Sequence, residues 1–293
     1  MLFMTAEFHR ALATSSIEKI ETWKNCWPIW EQKIRHLTNN FEDATKVHQL
    51  GDNLREVFFA TNTGSRDQGA LSAGGAGWES LVTWYLNLVF SGTNAVAMRQ
   101  SKATVPPTLL DATTISYGNN QTNTESDVCV IVYPPDFDFP KEDASYLKNL
   151  DIEIARRIAD VELGIIQCKT NWNDNAQIPM LWDMVYRASF GPTTGIHIGK
   201  NGYGVRNLRR FSYSFVTVPS QKEGRMPNKG SQMAVKRVSN LTGGNYWGLK
   251  TKSGVALSLA EIFDRNFNSA FDGNVRANVQ IAIKQKLGLF RHL

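Results

Sequence analysis

The residues of this chain best suited to chemistry are Asp127, Gln167 and Lys169. Asp127 opens the run Asp127-Val-Cys-Val-Ile-Val132, and Gln167 and Lys169 end the run Leu163-Gly-Ile-Ile-Gln-Cys-Lys169. Both runs read as short buried strands, because apolar and β-branched residues cluster between turn-formers. Side chains two apart on a strand share a face, so Gln167 and Lys169 project together. If the two strands pair, a carboxylate, an amide oxygen and an ammonium converge at one end of a sheet. Oxygen donors of this kind suit a hard divalent cation, and the ammonium suits a charged phosphorus centre.

Several elements must position these groups. Residues 1–60 predict helices: Ser15 and Ser16 offer an N-cap before Ile17, and Trp23, Trp27, Trp30, Ile34 and Leu37 recur at helical spacing. Pro28 should start or kink a helix there. A second amphipathic segment spans Phe41 to Phe59, and the aromatic stripe suits a core or a dimer interface. Residues 61–77 predict a glycine-rich loop, but neither G-x-x-x-x-G-K-[ST] nor G-x-G-x-x-G is present, so no nucleotide cofactor is expected. Trp78 to Phe90 predicts an apolar helix with Glu79 in its first turn, where an acid suits the helix dipole.

After Pro106-Pro107, the segment Ala112 to Tyr117 predicts a strand forming a hairpin with the Asp127 strand. Tyr146 to Ala159 and Gln177 to Ala188 read as helices, Thr194 to Gly199 and Arg206 to Val218 as strands. Asn240 to Lys252 reads as a hairpin, and helices follow from Ser258 to Phe271 and from Asn274 to Leu289. Asp111 is a second candidate acid at a strand start. Glu162 stands five residues before Gln167, hence on the opposite face. His197 reads as a core residue rather than a metal ligand, since no second His or Cys is suitably spaced.

The 293 residues suffice for one compact α/β domain. Its expected parts are a helical segment at 1–70, a core at 75–220 and a basic addition at 221–293. Cys26, Cys129 and Cys168 are too scattered for a disulfide framework or a CxxC zinc site. No run approaches the roughly 18 apolar residues that cross a membrane. Met1 to Ser16 carries Glu7, His9 and Arg10 where a signal peptide needs an apolar core, so a cytoplasmic protein is expected. Charge is unevenly spread: residues 1–193 hold 16 Lys and Arg against 23 Asp and Glu, whereas residues 194–293 hold 16 against 4. A basic C-terminal third suggests a polyanionic partner.

Asp127 followed by Gln167-Cys168-Lys169 resembles the PD-(D/E)xK nuclease superfamily, to which most type II restriction endonucleases belong. The family pattern is an acid on one strand and (D/E)-x-K on the next; here Gln167 replaces the acid, a minority variant. The resemblance implies an αβββαβ core with a mixed sheet flanked by helices. It implies a magnesium-dependent endonuclease acting on double-stranded DNA as a homodimer. Asp127, Gln167 and the Cys168 backbone carbonyl would hold the metal, Lys169 would orient the attacking water, and Glu79 would bind a metal-linked water. Arg206, Arg209, Arg210, Lys222, Arg225, Lys229, Lys236, Arg237, Lys250 and Lys252 are the candidate DNA contacts. A repair or structure-dependent nuclease, or a DNA-binding protein on a degenerate nuclease fold, are the competing readings.

Overall fold

The computed structural model describes residues 4–61, 68–123, 127–137, 145–170, 196–218, 243–246 and 259–293. Helices lead the chain: α1 (Met4–Glu18), α2 (Glu21–Thr38), α3 (Ala44–Phe59) and α4 (Gln68–Val89). Strand β1 (Ala95–Arg99), the short helix α5 (Pro107–Ala112), β2 (Ile115–Tyr117), β3 (Asn120–Thr122) and β4 (Val128–Val132) come next. Helix α6 (Tyr146–Arg156), β5 (Glu162–Lys169), β6 (Ile196–Ile198), β7 (Arg210–Thr217), β8 (Asn245–Tyr246), α7 (Ala260–Asn266) and α8 (Val275–Gln285) complete it.

The architecture is mixed α/β. The main sheet runs β1-β4-β5-β7-β8. The β1–β4 and β4–β5 pairs are antiparallel, whereas β7 lies parallel to β5 with Lys169 opposite Thr217. Both faces are apolar and both are covered, which explains why β4 is a continuous apolar run rather than an alternating one. One face carries Val128, Val130, Ile166, Cys168 and Val216 against the aromatic cluster of α2, α3 and α4. The other carries Cys129, Ile131, Leu163, Ile165 and Tyr213 against α1, α5 and α6. No helix among the described residues is long and apolar enough to cross a membrane.

Local chemistry sets the helix ends. The Asp43 carboxylate accepts from the N–H groups of Thr45 (2.9 Å) and Lys46 (3.1 Å), capping α3. Asn274 caps α8 through the N–H of Ala277 at 3.0 Å. Asn39 ends α2 in the left-handed conformation that halts a helix.

Four expectations need correction. The Ala112–Tyr117 segment does not pair with the Asp127 strand. Its strand part, β2, joins β3 and β6 in a separate three-stranded sheet. The strand beside β4 is Ala95–Arg99, whose alanines gave no β signal. Likewise Thr194 to Gly199 does not supply the next core strand; β7 does. Residues 68–77 are helix, not loop. Gly77 serves close packing there: an added Cβ would lie 3.2 Å from Thr22 Cγ2 and 3.4 Å from the Trp30 ring. Finally, Ser15 and Ser16 lie inside α1 rather than capping a helix at Ile17; Pro28, expected to start or kink a helix, is inside α2. Helix Gln177–Ala188 and most of the 240–252 hairpin lie outside the described residues.

Candidate functional site

At one rim of the main sheet, β4 begins and β5 ends. Antiparallel pairing sets Val128 opposite Ile166, so Asp127 falls opposite Gln167 at the next rung. The Asp127 carboxylate is held there by two donors. Gln167 Nε2 and the Cys168 backbone N–H each donate to Asp127 Oδ2 at 2.8 Å. Gln167 is fully buried, and the Tyr213 hydroxyl donates to its Oε1 at 3.1 Å. Lys169 follows two residues on, half-buried and on the same face as Gln167. The strands thus bring Asp127, Gln167 and Lys169 to one rim and one face.

The Cys168 backbone faces the same rim. Val218 N–H donates to the Lys169 carbonyl at 3.0 Å, so that carbonyl points towards β7. Successive strand carbonyls point to opposite neighbours, which turns the Cys168 carbonyl towards Asp127.

Glu79 is placed differently. It sits well inside α4 and takes both Arg99 Nε (3.1 Å) and Nη2 (2.6 Å) on its Oε2. Arg99 continues the Ala95 and Ala97 face of β1, the face that packs on α4. Gln167 continues the Leu163 and Ile165 face. The Glu79–Arg99 pair therefore stands across the sheet from Gln167 and Lys169. The buried Cys168 thiol is on the Glu79–Arg99 side of the sheet. Burial first, then the charges of Asp127 and Glu79, push its pKa well above the ordinary thiol value, while Lys169 and Arg99 pull it down.

Other candidates fall elsewhere. Asp111 is in the last turn of α5, not at a strand start, and accepts from Asn201 Nδ2 at 2.8 Å. His197 is exposed on the small sheet rather than buried in a core. Glu162 is at the far end of β5, buried, and accepts from Ser269 Oγ at 2.8 Å. It lines a pocket of about 360 Å³ with Asn94, Asp160, Arg209 and Asp272. Arg206, Arg209 and Arg210 share that far rim: Arg210 pairs with Glu162, seven residues from Lys169 or about 23 Å along the strand. Arg209 Nε lies 3.7 Å from Glu162 Oε1, and Arg210 Nη2 donates to the Arg265 carbonyl. Arg209 and Arg210 therefore stand at the end of the sheet remote from Lys169. Lys222, Arg225, Lys229, Lys236, Arg237, Lys250 and Lys252 lie outside the described residues.

Three residues of the site escaped the sequence reading. Tyr213 is one. The others are Gln100 and Thr217, whose buried Oε1 and Oγ1 have no hydrogen-bond partner among the described residues. Reading Ala95–Arg99 as a strand beside β4 would have exposed Gln100, because it then falls opposite Asp127. No group of three or more His, Cys, Asp and Glu side chains gathers to hold a metal among the described residues. The oxygen donors at the rim are instead one carboxylate, side-chain amides, a hydroxyl and a backbone carbonyl. That set suits a hard cation that keeps part of its water, not zinc. A scan against protein-family models and a search of curated proteins found no match to this sequence.

Proposed function

We propose that the chain is a magnesium-dependent endonuclease of the PD-(D/E)xK kind, cutting double-stranded DNA at a short specific sequence as a homodimer. The observation that carries this reading is the Asp127–Gln167 hydrogen bond at the sheet rim, with Lys169 two residues further on the same face. The strand order adds support. A helix, three antiparallel strands and then a strand parallel to the third match the strand part of the expected αβββαβ order; its second helix lies outside the described residues.

The donor set fits the cation, because magnesium is commonly held by one or two carboxylates and its own waters. Asp127 and the Cys168 carbonyl would hold it. Gln167 would join them after its amide turns over, so that Oε1 faces Asp127. Tyr213 can keep its bond through that turn, since a phenol both donates and accepts. A bound magnesium supplies a water of lowered pKa and neutralises phosphate charge. The Lys169 ammonium orients that water and stabilises the added charge of the pentacovalent transition state. Two copies related by a twofold axis would present one site to each strand of a palindrome.

The test is digestion of plasmid and phage DNA with magnesium, alongside the Asp127→Ala and Lys169→Ala variants. Discrete fragments from the parent, and loss of cutting with DNA binding retained in both variants, are expected. Full cleavage by either variant would sink the assignment. A second reading draws on the same hydrogen bond. Asp127 is satisfied by N–H donors with no cation at all, as suits a DNA-binding protein that has lost its chemistry. DNA binding by the parent without any magnesium-dependent nicking would favour that reading.

A further inference from the structure

Two buried oxygens without partners among the described residues flank the rim, and each adjoins one of the proposed site residues. Thr217 is directly opposite Lys169 on the parallel strand β7. Gln100 is directly opposite Asp127 on the other side, and its backbone N–H donates to the Asp127 carbonyl at 3.0 Å. Alternation along β1 sets Gln100 on the face of Val96 and Met98, which is also the face of Gln167. A row therefore crosses three neighbouring strands: Gln100, Asp127, Gln167. One charge stands between two amides, and the outer amide carries an oxygen, Gln100 Oε1, that is buried without a partner among the described residues.

A buried amide oxygen without a donor costs about 1–3 kcal/mol, and such groups call for an explanation. An apolar side chain would fill this position at no such cost. Oxygens need a proton donor or a cation. Directly opposed residues on antiparallel strands hold their Cβ atoms about 4.5–5.5 Å apart. A cation on the Asp127 carboxylate is within reach of a side chain as long as glutamine. We propose that Gln100 is a further oxygen ligand of the divalent cation, approaching from β1 on the side opposite Gln167. This inference rests on the cation-dependent reading of the site and extends it to a residue outside the D…QxK pattern.

The experiment is calorimetric titration of the full chain with Mn²⁺, free of DNA, comparing the parent with Gln100→Leu and Gln100→Glu. Leucine keeps the bulk and removes the oxygen, so the Mn²⁺ dissociation constant should rise roughly ten-fold, the equivalent of one such interaction. Glutamate adds a charge at the same place, so the constant should fall by about as much. Damage to the fold weakens binding and cannot produce that gain, so Gln100→Glu decides the matter even if Gln100→Leu folds poorly. Parent-like binding by both variants, or weaker binding by Gln100→Glu, overturns the assignment of Gln100 alone. Absence of Mn²⁺ binding by the parent overturns the cation-dependent reading and this inference together.

Discussion

Gln167 Nε2 donates to Asp127 Oδ2 at 2.8 Å, so the amide nitrogen, not its oxygen, faces the carboxylate. Replacing Gln167 with glutamate removes that donor and sets a second carboxylate against the first. Without a cation, Gln167→Glu should lose about 1–3 kcal/mol of stability, the cost of an unmade buried hydrogen bond. With a cation, the added charge should tighten Mn²⁺ binding roughly ten-fold. Urea unfolding with and without Mn²⁺ measures both effects, and a variant more stable than the parent in chelator contradicts the first.

Tyr213→Phe should behave differently. The phenol donates to the buried Gln167 Oε1 at 3.1 Å, and Phe removes that donor. About 1–3 kcal/mol of stability should be lost, with little change in the volume of the core. A denaturation midpoint equal to the parent's would show that the hydrogen bond contributes nothing.

Glu79→Gln tests the relocation of Glu79. Its partner Arg99 is on the α4 face, and both side chains are partly exposed. A pair of that kind contributes about 1 kcal/mol or less. The expected result is a small loss of stability with Mn²⁺ affinity unchanged. Loss of Mn²⁺ affinity would return Glu79 to the cation.

His9 gives stability a pH dependence. It is buried, accepts or donates at Tyr133 Oη (2.7 Å) and at the Thr104 carbonyl (2.6 Å), and burial lowers its pKa to about 4. Since the carbonyl only accepts, Nε2 carries the proton and Nδ1 accepts from Tyr133. The unfolded chain takes up the extra proton near the ordinary value of about 6.5. Between these values the unfolded state binds more protons, so stability falls as pH drops from about 6.5 towards 4. The loss across that window is of the order of 3 kcal/mol. Urea midpoints at pH 7 and pH 5 should differ, and His9→Gln should flatten that difference.

Gly164→Ala probes the sheet's packing. An added Cβ would meet Phe267 Cε1 at 2.6 Å and Ser212 Oγ at 3.1 Å. Overpacking of this kind costs about 1–3 kcal/mol, read as a lowered melting temperature. No change in melting temperature would mean that Phe267 moves aside freely.

The strands Val128–Val132 and Glu162–Lys169 were legible because each is an unbroken apolar run, which a strand covered on both faces requires. Strand Ala95–Arg99 was not: two of its five residues are alanine, and it follows an apolar helix closely. Its partner strand, not its own composition, decides its structure. The glycines before Trp78 pointed to a loop through their intrinsic preference, and packing against α2 overrides that preference. Within the site, the face shared by Gln167 and Lys169 followed from strand periodicity alone. Tyr213, Gln100 and the turned amide did not, since each depends on which strand lies beside which.

One consequence of the doubly capped carboxylate concerns the order of events. Asp127 Oδ2 already has two N–H donors from the polypeptide, so the architecture can assemble without a metal. Chelator should leave the native shape intact. Under the proposed function, loading would be a late, reversible exchange in which an incoming ion displaces an internal amide rather than organising a vacant loop.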